Sequence, residues 1–303
     1  MKTDTNLMQL VAKYNTDERC RETLMHLRWP DGVRCLKCRS EKVSPVADRK
    51  VFVCYSCRYQ FSVTVNTIFH DSHLPLTVWF FVAYLMTESR KGISANQIKR
   101  MLGISYKTAW YLCHRIRKAM AEADGHKLIG TVEVDGTYIG GKHHRGEPGK
   151  YYGTIPVIGI RERGGHLHFI RTTEVNQQVV FDIIGRNVDK TVDVIMTDES
   201  RLCNFDLTQF RGKHQSVNHS ADEYARYENS QCVTRNAVES AFSLFKHGIV
   251  GAWHKVSVKH LQAYLQEMTW RVNNRKNPYL FRDTIQTLID ASNLEYKTLI
   301  KAA

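Results

Sequence analysis

Three acidic residues stand far apart in the chain, each placed where a strand or helix could present it. Asp135 closes the alternating stretch Thr131-Val-Glu-Val-Asp135, and Asp198 follows the apolar run Val194-Ile-Met. Glu239 lies in Asn236-Ala-Val-Glu239-Ser-Ala-Phe-Ser243-Leu-Phe-Lys246, which reads as a helix. Three such carboxylates at one point can hold two divalent cations against a phosphodiester. As hard oxygen donors they suit Mg²⁺ or Mn²⁺. Glu239, Ser243 and Lys246 recur at four and three residues, so with Asn236 they share one helix face. That face carries a carboxylate and, two turns on, a cation suited to a phosphate. Val238, Phe242 and Phe245 form the apolar face that would pack on a sheet.

Taken singly, each acid also fits a duller role. Asp135-Gly136 reads equally as a hairpin turn, Asp198 as a loop residue and the Glu239 to Lys246 stretch as exposed helix charge. Glu133 shares the strand face of Asp135 and is its strongest competitor.

Cys35-Leu-Lys-Cys38 and Cys54-Tyr-Ser-Cys57 are separated by fifteen residues. Two such pairs at this distance present four thiolates tetrahedrally, the geometry of a closed structural Zn²⁺ site. Basic residues crowd these pairs, among them Arg34, Lys37, Arg39 and Arg58. Further on, Ile93 to Trp110 has the grammar of helix, tight turn, helix. Ile98 and Leu102 make the seam, Gly103 the turn and Ser105 an N-cap. The second helix then offers Tyr106, Lys107, Thr108 and Tyr111 for base edges, with Arg115 behind them for phosphates. Lys142 and Arg145, in the turn between the first two strands of the next region, are further candidates for a DNA backbone.

The elements that must position these groups follow from the patterning. Residues 1–32 form an N-terminal helical segment, residues 33–66 a zinc ribbon of short strands, and residues 74–122 a helix-turn-helix region. Strands are expected over residues 131–139, 154–160, 166–171 and 193–196, with a helix over residues 177–187 between the last two. After Cys232 the chain turns helical again. This order matches an RNase H-like (integrase-type) α/β domain over residues 128–290, leaving residues 291–303 as a tail. The fold class expected is therefore multidomain α+β.

Composition agrees with a nucleic-acid partner. Lys and Arg outnumber Asp and Glu by 43 to 30, a formal charge of +13 that favours a polyanion. The longest apolar stretch, Leu74 to Met86, is too short to cross a bilayer and reads as a buried helix. With no export signal at the N-terminus, a cytoplasmic setting is expected, where the eight cysteines stay thiols or bind metal.

The whole arrangement resembles the DDE transposases of bacterial insertion sequences, in their zinc-ribbon, ISXO-two-like branch, from about residue 18 to about residue 276. The resemblance is carried by Val132-Glu-Val-Asp135-Gly-Thr-Tyr138-Ile-Gly-Gly-Lys142, Thr197-Asp198-Glu199, Val217-Asn-His219-Ser220 and Asn236-Ala-Val-Glu239. Gly251-Ala-Trp-His254-Lys-Val-Ser257 and Trp270-Arg271-Val-Asn273-Asn-Arg275 add to it. It implies metal-dependent cleavage of double-stranded DNA at terminal inverted repeats, then transfer of the freed 3′-hydroxyl into target DNA. It also implies a homo-oligomer working on DNA within the nucleoid, and catalytic roles for Asp135, Asp198, Glu239, Lys246 and Asn236. Gly136, where the family often has a second acid, and Thr234-Arg235, before Asn236, depart from its pattern. A DNA-binding regulator derived from such an enzyme and a nuclease of the same fold without strand transfer are the alternatives.

Overall fold

The computed structural model describes residues 6–123, 125–143, 151–198, 213–217, 226–228, 231–233 and 236–301. The chain divides into two compact units, Met1–Ala123 with Lys276–Ala303, and Asp124–Arg275.

The first unit opens on helices α1 (Leu7–Lys13) and α2 (Asp17–Arg28). Side-chain caps start both: Asn6 Oδ1 accepts from the Gln9 amide at 2.9 Å, and Thr16 Oγ1 from the Arg19 amide at 3.4 Å. Strands β1 (Val43–Val46), β2 (Val51–Cys54) and β3 (Gln60–Phe61) form a three-stranded antiparallel sheet. Its small core holds Cys35, Phe52, Cys54 and Phe61, with Trp29 edge-on to both phenylalanines. Helix α3 (Leu76–Glu88) buries Trp79, Phe80, Val82, Ala83 and Met86. It is a core helix, and no described helix is long and apolar enough to cross a membrane. Helices α4 (Ala95–Leu102) and α5 (Tyr106–Glu122) follow. Gly103 joins them at φ +67°, a left-handed conformation that glycine adopts without Cβ strain. Ser105 Oγ accepts from the Thr108 amide at 3.1 Å and caps α5.

The second unit is built on a five-stranded mixed sheet. Its strands are β4 (Thr131–His143), β5 (Tyr151–Glu162), β6 (Leu167–Arg171), β7 (Val194–Asp198) and β8 (Lys213–Val217), in the order β6-β5-β4-β7-β8. β4, β5 and β6 pair antiparallel, whereas β7 runs parallel to β4 and β8 parallel to β7. Side chains alternate across the strands. Val132, Val134, Ile158, Ile160 and Ile195 face α6 (Gln177–Asn187), packing on its Val180, Ile183 and Ile184. A two-stranded ribbon, β9 (Arg226–Glu228) with β10 (Gln231–Val233), precedes helix α7 (Asn236–Gly248). Ile139, Val157 and Phe169 face the other way, onto Val238, Phe242 and Phe245 of α7 and Leu261, Leu265 and Met268 of α8 (Leu261–Asn274). The sheet is thus covered on both faces.

The chain then rejoins the first unit. Helix α9 (Leu280–Asp290) packs against α2, α3 and α5, and Phe281 meets Tyr14, Phe80 and Tyr84 ring to ring. The last helix, α10 (Tyr296–Lys301), sets Tyr296 edge-on to Tyr111 at 5.3 Å between centroids. The sequence reading runs one C-terminal domain to residue 290 and leaves a tail; residues 276–303 belong instead with the N-terminal helices. Buried Phe281, Ile285, Leu288 and Ile289 account for this, since their apolar stripe fills the gap between α3 and α5.

Candidate active site and metal centre

The two cysteine pairs converge as their spacing demands. Their four sulfurs lie within 4.8 Å of one another, with Cys35 to Cys57 and Cys38 to Cys54 both at 3.5 Å. Four sulfurs at tetrahedral Zn–S distance sit about 3.8 Å apart, so the cluster fits one closed zinc site. Each pair closes in the same way. The Arg39 and Arg58 amides donate to the Cys35 and Cys54 carbonyls at 2.9 Å, with both arginines left-handed at φ +60°. The amides of Lys37 and Cys38 point at Cys35 Sγ. Burial pushes the Cys54 thiol up, but the backbone N–H groups of Cys57 and Ser56 outweigh it and draw it down to about 6. A thiolate so stabilised is the form that binds metal; at Cys38 the Ser40 backbone amide lowers the value, but the sulfurs of Cys57, Cys54 and Cys35, with burial, outweigh it and push the thiol up to about 12.

The acids of the second unit are organised by strand register. Thr131, Val132 and Glu133 of β4 lie opposite Val194, Ile195 and Met196 of β7. Asp135 and Asp198 each follow two positions after the last of these pairs, and Asp198 itself pairs with Val217 of β8. Asp135 belongs to the strand face of Glu133 and Ile139, the one α7 covers, and the position of Asp198 falls on the face of Val194 and Met196. Asp135 is half-buried, and its Oδ1 accepts from the Gly136 amide at 2.8 Å. Glu239 sits in the first turn of α7, exposed, with Ser243 and Lys246 exposed on the same face. Val238, Ala241, Phe242 and Phe245 fill the opposite face. Asn236 is the first residue of that helix.

Two features hold α7 close. Gly159 lies opposite Asp135 on β5, and a Cβ there would come within 2.7 Å of Phe242 and 2.9 Å of Val238. Glu133, the competitor of Asp135, is turned to the start of α7, where its Oε2 accepts from the Ala237 amide at 3.0 Å. Its Oε1 accepts from Arg163 Nε at 2.9 Å.

Comparison with known proteins decides what this assembly is. Residues 127–273 match the model of the ISXO2-like transposase domain, and residues 15–60 that of the transposase zinc-ribbon domain. The chain belongs to the ISXO2-like transposases. It is also 30% identical over 135 residues to an uncharacterized protein in transposable element ISH50 of Halobacterium salinarum. That stretch covers 44% of this chain and 45% of the relative, so less than half of either is matched.

Within this transposase the residues expected at DNA divide into two groups. Tyr106 and Lys107 are exposed and Thr108 half-buried, all in the opening turn of α5. Tyr111 and Arg115 turn inward. The Tyr111 hydroxyl donates to the Leu294 carbonyl. Arg115 is 3% exposed and donates to the His70 carbonyl at 2.6 Å and Asn293 Oδ1 at 2.7 Å, beneath the returning C-terminal segment. Burial lowers its guanidinium pKa, with Tyr111 and Asp71 opposing. Lys142 lies near the end of β4, and Arg145 and His219 lie outside the described residues.

One feature of the transposase domain has no signature in the sequence. Helix α7 continues into a π-helical stretch, Ile249–Trp253, stopped by His254 at φ +58° and ψ −43°. The Lys255 amide donates to the Trp253 carbonyl at 2.6 Å across it, making a γ-turn of the strained kind. The ring is fixed as well, since His254 Nδ1 lies 3.0 Å from the Val250 carbonyl and must donate to it.

Proposed function

We propose that this transposase cleaves and joins DNA through Asp135, Asp198 and Glu239, set in an RNase H-like domain over the second unit. The observation that supports this reading is the parallel register of β4 and β7, in which Asp135 and Asp198 each follow two positions after the paired Glu133 and Met196, on a sheet whose strand β4 packs against α7. Such a set, oxygen-only and solvent-accessible at Asp135 and Glu239, fits divalent cations of the Mg²⁺ or Mn²⁺ class. Bound between Asp135, Asp198 and Glu239, such cations would supply Lewis-acid activation of water and charge stabilisation at a phosphodiester. The chain's own residues bind and align. Asp135, Asp198 and Glu239 hold the cations, and Lys246, on the exposed face of α7, fixes the terminal phosphate. Asn236 at the helix start supports the same face. The α4–α5 pair acts as a helix-turn-helix reader of the terminal inverted repeats through Tyr106, Lys107 and Thr108. The zinc ribbon is structural. Two DNA ends are paired by a homo-oligomer before strand transfer into target DNA.

The test is Mg²⁺-dependent nicking of the DNA ends that flank the coding region, followed by joining of a free 3′-hydroxyl donor. Asp135→Ala, Asp198→Ala and Glu239→Ala each abolish nicking and leave end binding intact. End binding without nicking by the native protein would establish a regulator, and nicking without joined products a nuclease.

A further inference from the structure

Glu133 is an acid on the central strand of the sheet, yet its carboxylate is turned from solvent. It is 1% exposed. Oε1 accepts from Arg163 Nε at 2.9 Å, and Oε2 accepts from the amides of Ala237 at 3.0 Å and Val238 at 3.4 Å. Those amides open α7, where the first turn has no intrahelical acceptor and the helix dipole presents positive charge. Arg161, the register partner of Glu133 on β5, completes the junction by donating to the Ala237 carbonyl at 2.6 Å. A strand residue thus caps a helix that begins about a hundred positions later in sequence.

We propose, on the reading of Asp135, Asp198 and Glu239 as the metal-binding acids, that Glu133 is the positioning residue for Glu239. The tether joins Glu133 to Ala237. Two residues beyond Glu133 stands Asp135, and two residues beyond Ala237 stands Glu239, so one junction sets the meeting point of two acids. Apolar packing of Val238, Phe242 and Phe245 fixes how deep α7 lies, but such contacts tolerate sliding and rotation. Hydrogen bonds to two successive amides do not, because donor angles restrict them. A buried ion pair commonly adds little stability over an apolar pair of the same volume. What it adds here is orientation. The same bonds explain why Glu133 does not compete with Asp135 for cations: its charge is already shared between a guanidinium and a helix end.

Two conservative variants of the full chain separate positioning from metal ligation. Glu133→Gln keeps the reach and one acceptor oxygen but loses the charge; Arg163, 30% exposed, can turn toward solvent. Glu133→Asp keeps the charge and falls one methylene short. If Glu133 positions α7, the glutamine variant outperforms the aspartate. Hydrogen exchange at the Ala237 and Val238 amides then stays within about threefold of native in the glutamine variant, which keeps an acceptor in reach, and speeds by about tenfold or more in the aspartate, which leaves the amides without one. The Mn²⁺ concentration for half-maximal nicking rises in the aspartate variant, with end-DNA affinity unchanged. The reverse order, aspartate active and glutamine inactive with protected amides, would make Glu133 a cation ligand and overturn the proposal. Native exchange in both variants would also overturn it. Nicking that survives Asp135→Ala, Asp198→Ala and Glu239→Ala would instead refute the acid assignment, and amide exchange would still report the tether.

Discussion

Gly159→Ala tests whether clearance at one strand position sets the depth of α7. The new Cβ would stand 2.7 Å from Phe242 Cζ, 2.9 Å from Val238 Cγ1 and 3.1 Å from Phe169 Cε1. Carbon atoms rest about 3.5 Å or more apart, so the worst contact is short by about 0.8 Å. Neither ring can swing aside easily, because Phe169 and Phe242 stack on each other at 4.9 Å between centroids. Overpacking of this kind costs about 1–3 kcal/mol. Replacing a strand glycine returns about 0.5–1 kcal/mol of backbone entropy. Three simultaneous close contacts in a fully packed cluster favour the upper half of the cost, leaving a net loss of about 1–2 kcal/mol. For a folding unit the size of Asp124–Arg275 that lowers the melting temperature by roughly 2–8 °C. Thermal unfolding by circular dichroism gives the first number, and hydrogen exchange along Val238 to Phe245 locates the disturbance. Nicking should fall further than the lost stability explains, since α7 carries Glu239. Native stability together with native exchange in α7 would refute the reasoning.

The remaining expectations concern the first unit. Elemental analysis should find one zinc per chain, lost in Cys54→Ser. Strong chelation should then shift the fluorescence of Trp29, which rests on Phe52 and Phe61, while α3 and α5 keep their helical signal. Absence of zinc, or a ribbon indifferent to chelation, would contradict the closed site. Glu122 supplies a pH dependence. Burial raises its pKa, but Lys118 and the amide and hydroxyl of Ser292 outweigh it and hold the carboxyl below 4.5. A group depressed on folding stabilises above its unfolded value, and that contribution disappears as pH falls through the lowered one. Exchange at the Ser292 amide should therefore accelerate as pH drops below about 4.5, beyond the intrinsic trend, and Glu122→Gln should remove that step.

Some of this was legible in the chain and some was not. The cysteine spacing, the cap at Ser105 and the turn at Gly103 are local signals, and the structure brings the four sulfurs together and forms the cap and the turn. The four-and-three recurrence on α7 gives its exposed and buried faces for the same reason. Strand periodicity puts Glu133 and Asp135 on one face and makes Glu133 the competitor of Asp135; that the start of α7 meets Glu133 is a contact between distant segments, which periodicity does not carry. Arg115 looked like a phosphate ligand because a helix pattern cannot show that residues about 180 positions away will cover it. Strand β8, Lys213 to Val217, carries no apolar alternation and went unread for that reason.

The return of Lys276–Ala303 to the helices of the first unit makes the sheet domain an insertion within that unit. During synthesis α2, α3 and α5 must wait, their apolar sides exposed, until α9 has left the ribosome. A chain cut short within the sheet domain therefore lacks α9 altogether, and the sides of α2, α3 and α5 that it packs against keep no cover.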